Sequence, residues 1–139
     1  MQKLIWITAL LLQSGFALAA VGVQMTPGTW EMTMTMKMSV MPNPQTKTQL
    51  VCIEDEEFTP QDFNNTQKSP CELSDIEVDG NTMSWGVSCP GPSGSMTGNW
   101  VFTSDGDTVE GTGEMKANMG GEPVEMNMDW TGKHVGDCD

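Results

Sequence analysis

Residues 30–38 read WEMTMTMKM, and this stretch decides the fold class of the chain. Every second position is Trp or Met, and polar residues lie between them; the apolar positions are Trp30, Met32, Met34, Met36 and Met38. A period of two is typical of a β-strand with one buried face, because successive side chains of a strand point to opposite faces. The stretch therefore predicts a strand whose inward face is made largely of thioether side chains.

The same alternation recurs along the chain between turns that are rich in Gly, Pro, Asn and Asp. The segments predict strands at residues 30–38, 46–53, 72–78, 82–89, 96–102, 108–116 and 124–130. Strands joined by short turns at this spacing indicate an all-β fold, and we expect a single antiparallel meander of about seven strands. Gly98, Gly111 and Gly113 share a face with apolar residues. Glycines at such positions favour a strongly curved or barrel-like sheet.

One short helix is expected in the polar segment between the second and third predicted strands. This segment contains the sequence TPQD at residues 59–62. Thr59 is a suitable N-cap, Pro60 is favoured at the first helical position, and Asp62 would lie near the positive end of the helix. The pattern predicts a helix within residues 59–66.

The first twenty residues have the pattern of an export signal. They read MQKLIWITALLLQSGFALAA, with one Lys, a short apolar run and Ala-Leu-Ala at residues 17–19. A membrane anchor is the alternative, but the run is shorter than the roughly 20 apolar residues that span a bilayer. We expect a cleaved signal peptide at residues 1–19 and a single domain at residues 20–139. The domain would be periplasmic or secreted, and no second apolar stretch predicts a membrane span in it.

The charge of the chain argues against several kinds of partner. Its formal net charge is −13, and all its basic residues are Lys. Such a chain is repelled by nucleic acid and by anionic membrane surfaces, and it lacks the guanidinium forks that grip phosphate. We therefore expect no nucleic-acid partner. High acidity also favours solubility, which is the simplest explanation of the composition.

The four cysteines, Cys52, Cys71, Cys89 and Cys138, predict disulfides, because an even number in a short exported chain is typical of a disulfide framework. A structural zinc site is the alternative, but no C-x-x-C spacing supports it. Three pairings are possible. We expect Cys52–Cys71 with Cys89–Cys138, because the first bond would staple the long loop between consecutive strands. In a simple meander Cys138 reaches the others only if residues 132–138 fold back.

No constellation of residues indicates catalysis or a metal site. The chain has one histidine, His134, and no G-x-S-x-G motif with which a serine nucleophile could be placed. Asp105, Asp107 and Glu110 resemble a fragment of a calcium loop, but they lack its ligand spacing and fit a polar hairpin turn. The acidic run at residues 54–57 is interpreted as a solvated loop, with a cation site as the alternative. We expect no catalytic residue, no cofactor and no enzymatic activity.

The apolar positions of the strands form one predicted face, and this face is the candidate site. Its members are Trp30, Met32, Met34, Met36, Trp85, Trp100, Met126, Met128 and Trp130. Met is a pliable filler of irregular interiors, so a packed core is the first interpretation. Curved sheets with apolar interiors also hold hydrophobic small molecules, which is the second. A Met-rich site for Cu(I), held by thioethers and indoles, is the alternative function.

Several fragments carry a resemblance to a known family. They are PGTWE at residues 27–31, PQT at 44–46, VC at 51–52, WGVSCPG at 85–91, MTG at 96–98 and GKHVGDC at 132–138. Their order resembles the uncharacterised exported bacterial proteins catalogued as domain of unknown function thirty-six-seventeen. The resemblance implies a signal peptide, Met-rich stretches and matching cysteines, but no activity or substrate. Relatives tend to have a basic residue where this chain has His134, which further weakens a histidine-based role.

The sequence thus predicts an exported, soluble, acidic protein of the cell envelope. Its role is expected to be non-enzymatic, as a binding or structural β domain. The Met/Trp-rich interior is the candidate site for a hydrophobic ligand, and the identity of any other partner is unknown.

Overall fold

The computed structural model describes residues 21–67, 71–91 and 94–139, so the predicted signal peptide at residues 1–19 lies outside the described part of the chain. The described residues form nine β-strands and one short helix. The elements are β1 Val23–Gln24, β2 Gly28–Met38, β3 Gln45–Ile53, β4 Glu57–Phe58, α1 Pro60–Gln67, β5 Glu72–Asp79, β6 Thr82–Gly91, β7 Gly94–Ser104, β8 Thr108–Met119 and β9 Glu122–Gly136. The predicted all-β, antiparallel class is confirmed, as are the seven predicted strands.

Seven of these strands form one antiparallel sheet in the order β3-β2-β9-β8-β7-β6-β5, and β1 pairs with β4 in a separate ribbon. Strands β5 to β9 follow one another as a meander. The next neighbour of β9 is β2, which in turn pairs with β3. The order expected for a single meander, with β3 beside β5, is therefore wrong. These two strands form opposite edges, and among the described strands no pairing joins them into a barrel.

One face of the sheet carries the aromatic and thioether side chains, and we call it the apolar face. Directly opposed residues of an antiparallel pair share a face. Trp85 lies opposite Trp100, which lies opposite Gly113, and Gly113 lies opposite Met128. Burial alternates along β8 in step with this assignment, so the other face is exposed to solvent. The alternation read in the sequence is therefore the alternation between the two faces.

The core lies between the apolar face and a thin second layer made by the β1–β4 ribbon and α1. The buried hydrophobic residues are Val23, Met25, Trp30, Met83, Trp85, Cys89, Trp100, Phe102, Val109, Met115 and Val124. From the second layer, Phe58 packs on Phe102 with ring centroids 5.2 Å apart. Trp30 is fully buried, and its indole donates a 2.9 Å hydrogen bond to the carbonyl oxygen of Thr26.

The predicted helix is confirmed, with Pro60 as its first residue. The Thr59 backbone N–H donates to Asp62 Oδ2 at 2.9 Å, and the Asp62 N–H donates back to Thr59 Oγ1 at 3.3 Å. This reciprocal arrangement satisfies backbone donors that the first turn of a helix leaves without partners. Within the described residues, no helix has the length and apolar character that crossing a bilayer requires.

Both pairs of cysteines form disulfides, but the expected pairing is wrong. The bonds are Cys52–Cys138 and Cys71–Cys89. Because β3 and β5 are opposite edges of the sheet, Cys52 and Cys71 are kept apart. Cys52 lies opposite Thr29 of β2, which lies opposite Gly136 of β9, so Cys138 reaches Cys52 without any reversal of the tail.

Candidate functional site: a groove between the helix and the sheet edge

A groove with a volume of about 850 Å³ lies between α1, β4 and the edge of the sheet that ends in β3. Met32 and Met34 of β2 and Trp130 of β9 contribute from the apolar face. Phe58 and Phe63 contribute from the second layer, opposite the sheet. The remaining lining residues are Lys47, Gln49, Val51, Cys52, Ile53, Glu54, Asp55, Glu57 and Asp62. The groove therefore has an apolar floor and a rim of charged and amide side chains.

The aromatic wall of the groove is held in place by a cluster of rings. Phe63 lies with its ring centroid 5.6 Å from Trp85, 5.0 Å from Trp100 and 5.5 Å from Trp130. Trp100 and Trp130 are stacked at 4.6 Å. Offset and edge-on contacts of this kind stabilise aromatic pairs beyond the area that they bury. Trp85 and Trp100 are buried, whereas Trp130 is half-buried and lines the groove. Trp130 and Phe63 are therefore the members of the cluster that a bound molecule would touch.

The rim of the groove is mainly acidic. Four carboxylates line it, from Glu54, Asp55, Glu57 and Asp62, against the single ammonium group of Lys47. The three lysines of the sheet other than Lys47 each form an ion pair on the surface, with Asp129, Glu125 and Glu31. In the described part of the chain Lys47 has no such pair. An excess of carboxylates disfavours an anionic ligand and suits a neutral or cationic one.

The nine residues of the predicted apolar ligand face fall into three groups. Met32, Met34 and Trp130 line the groove. Trp30, Trp85 and Trp100 are buried in the core. Met36, Met126 and Met128 lie farther along the apolar face and are half-buried. The methionines of β2 are thus half-buried, whereas the buried methionines are Met25, Met83 and Met115.

Sequence reasoning did not identify the second layer of the groove. Phe58 and Phe63 lie in the segment that was interpreted as a polar loop with a short helix. A signal for them was present, because they are the only large apolar residues between Ile53 and Cys71. Isolated aromatic residues in a polar connection between strands indicate that the connection packs on the sheet. Val51 and Ile53 were within a predicted strand but were not assigned to the site.

The remaining candidate ligands have structural roles. The ring of His134 lies 5.9 Å from that of Trp30, and its Nε2 is 3.1 Å from the carbonyl oxygen of Pro27. Asp105 accepts a hydrogen bond from Asn81 at 2.9 Å, and Asp107 accepts one from Thr26 at 2.6 Å. Within residues 21–67, 71–91 and 94–139, no group of three His, Cys, Asp or Glu side chains is arranged to hold a metal ion.

The fold and the groove define a disulfide-bonded, antiparallel β-sheet protein with a helix packed on one face. Residues 25–138 match the family described as "Protein of unknown function (DUF3617)", and the chain belongs to this family. The family resemblance read from the sequence is thereby confirmed. No curated protein matches the chain, and no solved structure matches it. The groove is therefore the feature of the structure that bears on function.

Proposed function

We propose that this protein is a non-enzymatic binding domain of the cell envelope that holds a small hydrophobic molecule in the groove between α1 and β3. The groove is the observation that carries the proposal. Its volume of about 850 Å³ falls in the range of roughly 300–1,000 Å³ typical of small-molecule sites. Its floor of two thioethers and an indole suits ligands of varied shape, because Met side chains adapt to irregular surfaces.

Two features support export. Residues 1–19 have the composition of a cleaved signal peptide, and the described chain has two disulfides and no free cysteine. Disulfides persist in oxidising compartments such as the periplasm and the cell exterior. The protein would be soluble after removal of the signal peptide. Intact mass measurement of the protein isolated from cells would give a chain that starts at Ala20.

The preferred ligand is an amphiphile with a neutral or cationic head. Its apolar part would lie on Met32, Met34 and Trp130, and its head would lie at the acidic rim. A fatty acid would bring a carboxylate next to the side chains of Glu54 and Asp55. Like charges juxtaposed at a binding site lower affinity, so we expect carboxylates to bind least well.

Binding can be tested with N-phenyl-1-naphthylamine, a neutral probe that becomes fluorescent in apolar sites, and with competing dodecanol, dodecylamine and dodecanoate. We expect saturable probe binding, displacement by the alcohol and the amine, and weaker displacement by dodecanoate. Gln49→Trp would place a bulky ring in the groove and weaken probe binding at least about tenfold. Leu50→Trp is the matched control. Leu50 is the next residue of the same edge strand, is 67% exposed and points to the opposite face.

The proposal fails if the wild-type protein does not bind the probe in a saturable way. It also fails if the variants with Trp at residues 49 and 50 bind equally, because the probe would then lie outside the groove. If dodecanoate displaced the probe as strongly as dodecylamine does, binding in the groove would stand. The preference for a neutral or cationic head group would then be contradicted.

A further inference from the structure

A cluster of methionines lies on the apolar face beyond the groove, where β2 and β9 pair. Met36 is directly opposite Met128, and Met38 is directly opposite Met126. Met126 in turn is opposite Met115 of β8. Met36, Met38, Met126 and Met128 are all half-buried. We call these four residues the Met quartet. None of them lines the groove, so the quartet is a separate feature of the same face.

The strand register brings the four side chains within reach of one point. Cβ atoms of directly opposed residues are about 5 Å apart, and residues two apart on one strand are separated by about 7 Å. The four Cβ atoms thus form a rectangle whose centre is roughly 4 Å from each corner. A thioether sulfur lies two bonds beyond Cβ on a freely rotating side chain, so three or four sulfurs can converge above the centre.

Packing alone does not account for the two members on β2. Met126 and Met128 pack against the buried core, but Met36 and Met38 are not among the residues that do so. A residue that contributed only apolar burial at these positions would be expected to contact the core. Met36 and Met38 are therefore half-buried side chains whose place on the apolar face is not explained by contact with the core.

Four neutral thioethers are soft ligands. Such ligands select Cu(I) among biological metal ions and bind hard cations poorly. Because every cysteine is in a disulfide, thiolates would not compete for the metal. We propose that the Met quartet binds one Cu(I) ion through three or four thioether sulfurs. This site would be independent of the groove and of the hydrophobic ligand assigned to it.

The test is a titration of the whole exported chain with Cu(I), kept reduced with ascorbate and competed with bicinchoninate. An assay for free thiols confirms that the disulfides stay intact. We expect one ion per chain, with an affinity tighter than micromolar and an X-ray absorption spectrum with only sulfur neighbours. Met36→Leu with Met128→Leu would weaken binding at least about tenfold. Met→Leu conserves apolar volume, so the fold should be retained.

The matched control is Met41→Leu with Met119→Leu. These two methionines are 41% and 56% exposed and lie outside the quartet. The control variant should bind Cu(I) as the wild type does. The pair Met38→Leu with Met126→Leu repeats the test if circular dichroism shows that the first variant is misfolded. Affinity weaker than micromolar, nitrogen or oxygen neighbours, or equal loss in the control would each overturn the proposal. Probe binding in the groove should be unchanged in all these variants.

Discussion

Gly113 illustrates how a single residue shapes the apolar face. It lies between Trp100 of β7 and Met128 of β9 in the strand register. A Cβ atom at this position would overlap the six-membered ring of Trp100. The indole therefore occupies the space above the glycine, where it stacks on Trp130. The sequence suggested that glycines here let the sheet curve; at Gly113 the glycine also makes room for the side chain of Trp100.

Gly113→Ala is expected to destabilise the protein by about 1–3 kcal/mol, the usual cost of inserting a methyl group into a packed interior. The ring of Trp100 would have to move and would disturb the stack with Trp130. Chemical denaturation measures the free energy of unfolding, and near-ultraviolet circular dichroism reports the stack. In a strand without such contact, Gly→Ala usually stabilises by restricting the unfolded chain.

The control for this substitution is Thr112→Val, which keeps a β-branched side chain at the adjacent residue of the exposed face. Its effect on stability should stay within about 0.5 kcal/mol. If Gly113→Ala proved as stable as the wild type, the close packing of Trp100 on this glycine would be refuted.

At the scale of the element, α1 is placed on the sheet by packing, in which Phe63 and the fully buried Pro60 take part. Phe63 contacts Trp85, Trp100 and Trp130 of the sheet. The helix has only eight residues, and isolated helices of that length are not stable in water. Its stability must therefore come from packing, and the groove has an aromatic second wall only while this contact is made.

Phe63→Ala is expected to release α1 from the sheet. Truncating a fully buried Phe costs about 3–5 kcal/mol, and the half-buried Phe63 should cost about 2–3 kcal/mol. Amide hydrogen exchange of residues 61–67 should accelerate, and the tryptophan fluorescence should shift to the red as the rings meet water. Gln61→Ala, an exposed change in the same helix, should leave both unchanged. Unaltered exchange in the Phe63 variant would mean that other contacts hold the helix.

The strands and the helix start could be predicted because their signals are local. Alternation sets the faces of a strand, and Thr59 with Pro60 marks the beginning of a helix. The end of β9 was not predicted, because its alternation loses its apolar residues after Trp130. Gly132 lies on the apolar face, and the space that a Cβ atom would need at this position is filled by Met32 and Val109. The strand continues to Gly136 because its neighbours cover that face.

At the scale of the whole molecule, the strand order was beyond the reach of local signals. Within the seven-stranded sheet, every pair of neighbouring strands is consecutive in that sheet's chain order except one, where β9 joins β2. The segment between β3 and β5 connects the two edges of the sheet, and Phe58 and Phe63 of this segment pack on the core. The groove lies between this segment and the sheet. The sequence alone could therefore not predict that Phe58 and Phe63 form the aromatic wall of the groove, because that position follows from the strand order.

The two disulfides should differ in their contribution to stability, because they close loops of different length. Cys52–Cys138 joins residues 86 apart, whereas Cys71–Cys89 joins residues 18 apart. In the chain-entropy model the first restricts the unfolded chain by about 4.5 kcal/mol and the second by about 3 kcal/mol. The double Cys→Ser variant of the first pair should therefore unfold more easily than that of the second, by about 1.5 kcal/mol at the same denaturant concentration.

Each double variant is the control for the other, since both lose two sulfur atoms and one disulfide bond. Peptide mapping without reduction should recover Cys52 linked to Cys138 and Cys71 linked to Cys89. The Cys52–Cys138 bond also fastens the edge strand β3 to the end of β9. Its removal should therefore loosen the β3 side of the groove and weaken probe binding. Cys71–Cys89 lies at the opposite edge, where Asn64 of α1 donates a hydrogen bond to the carbonyl oxygen of Cys71. Its removal should therefore weaken probe binding less than removal of Cys52–Cys138. Recovery of a Cys52–Cys71 peptide from the native protein would contradict the strand order itself, because that bond requires β3 and β5 to be neighbours.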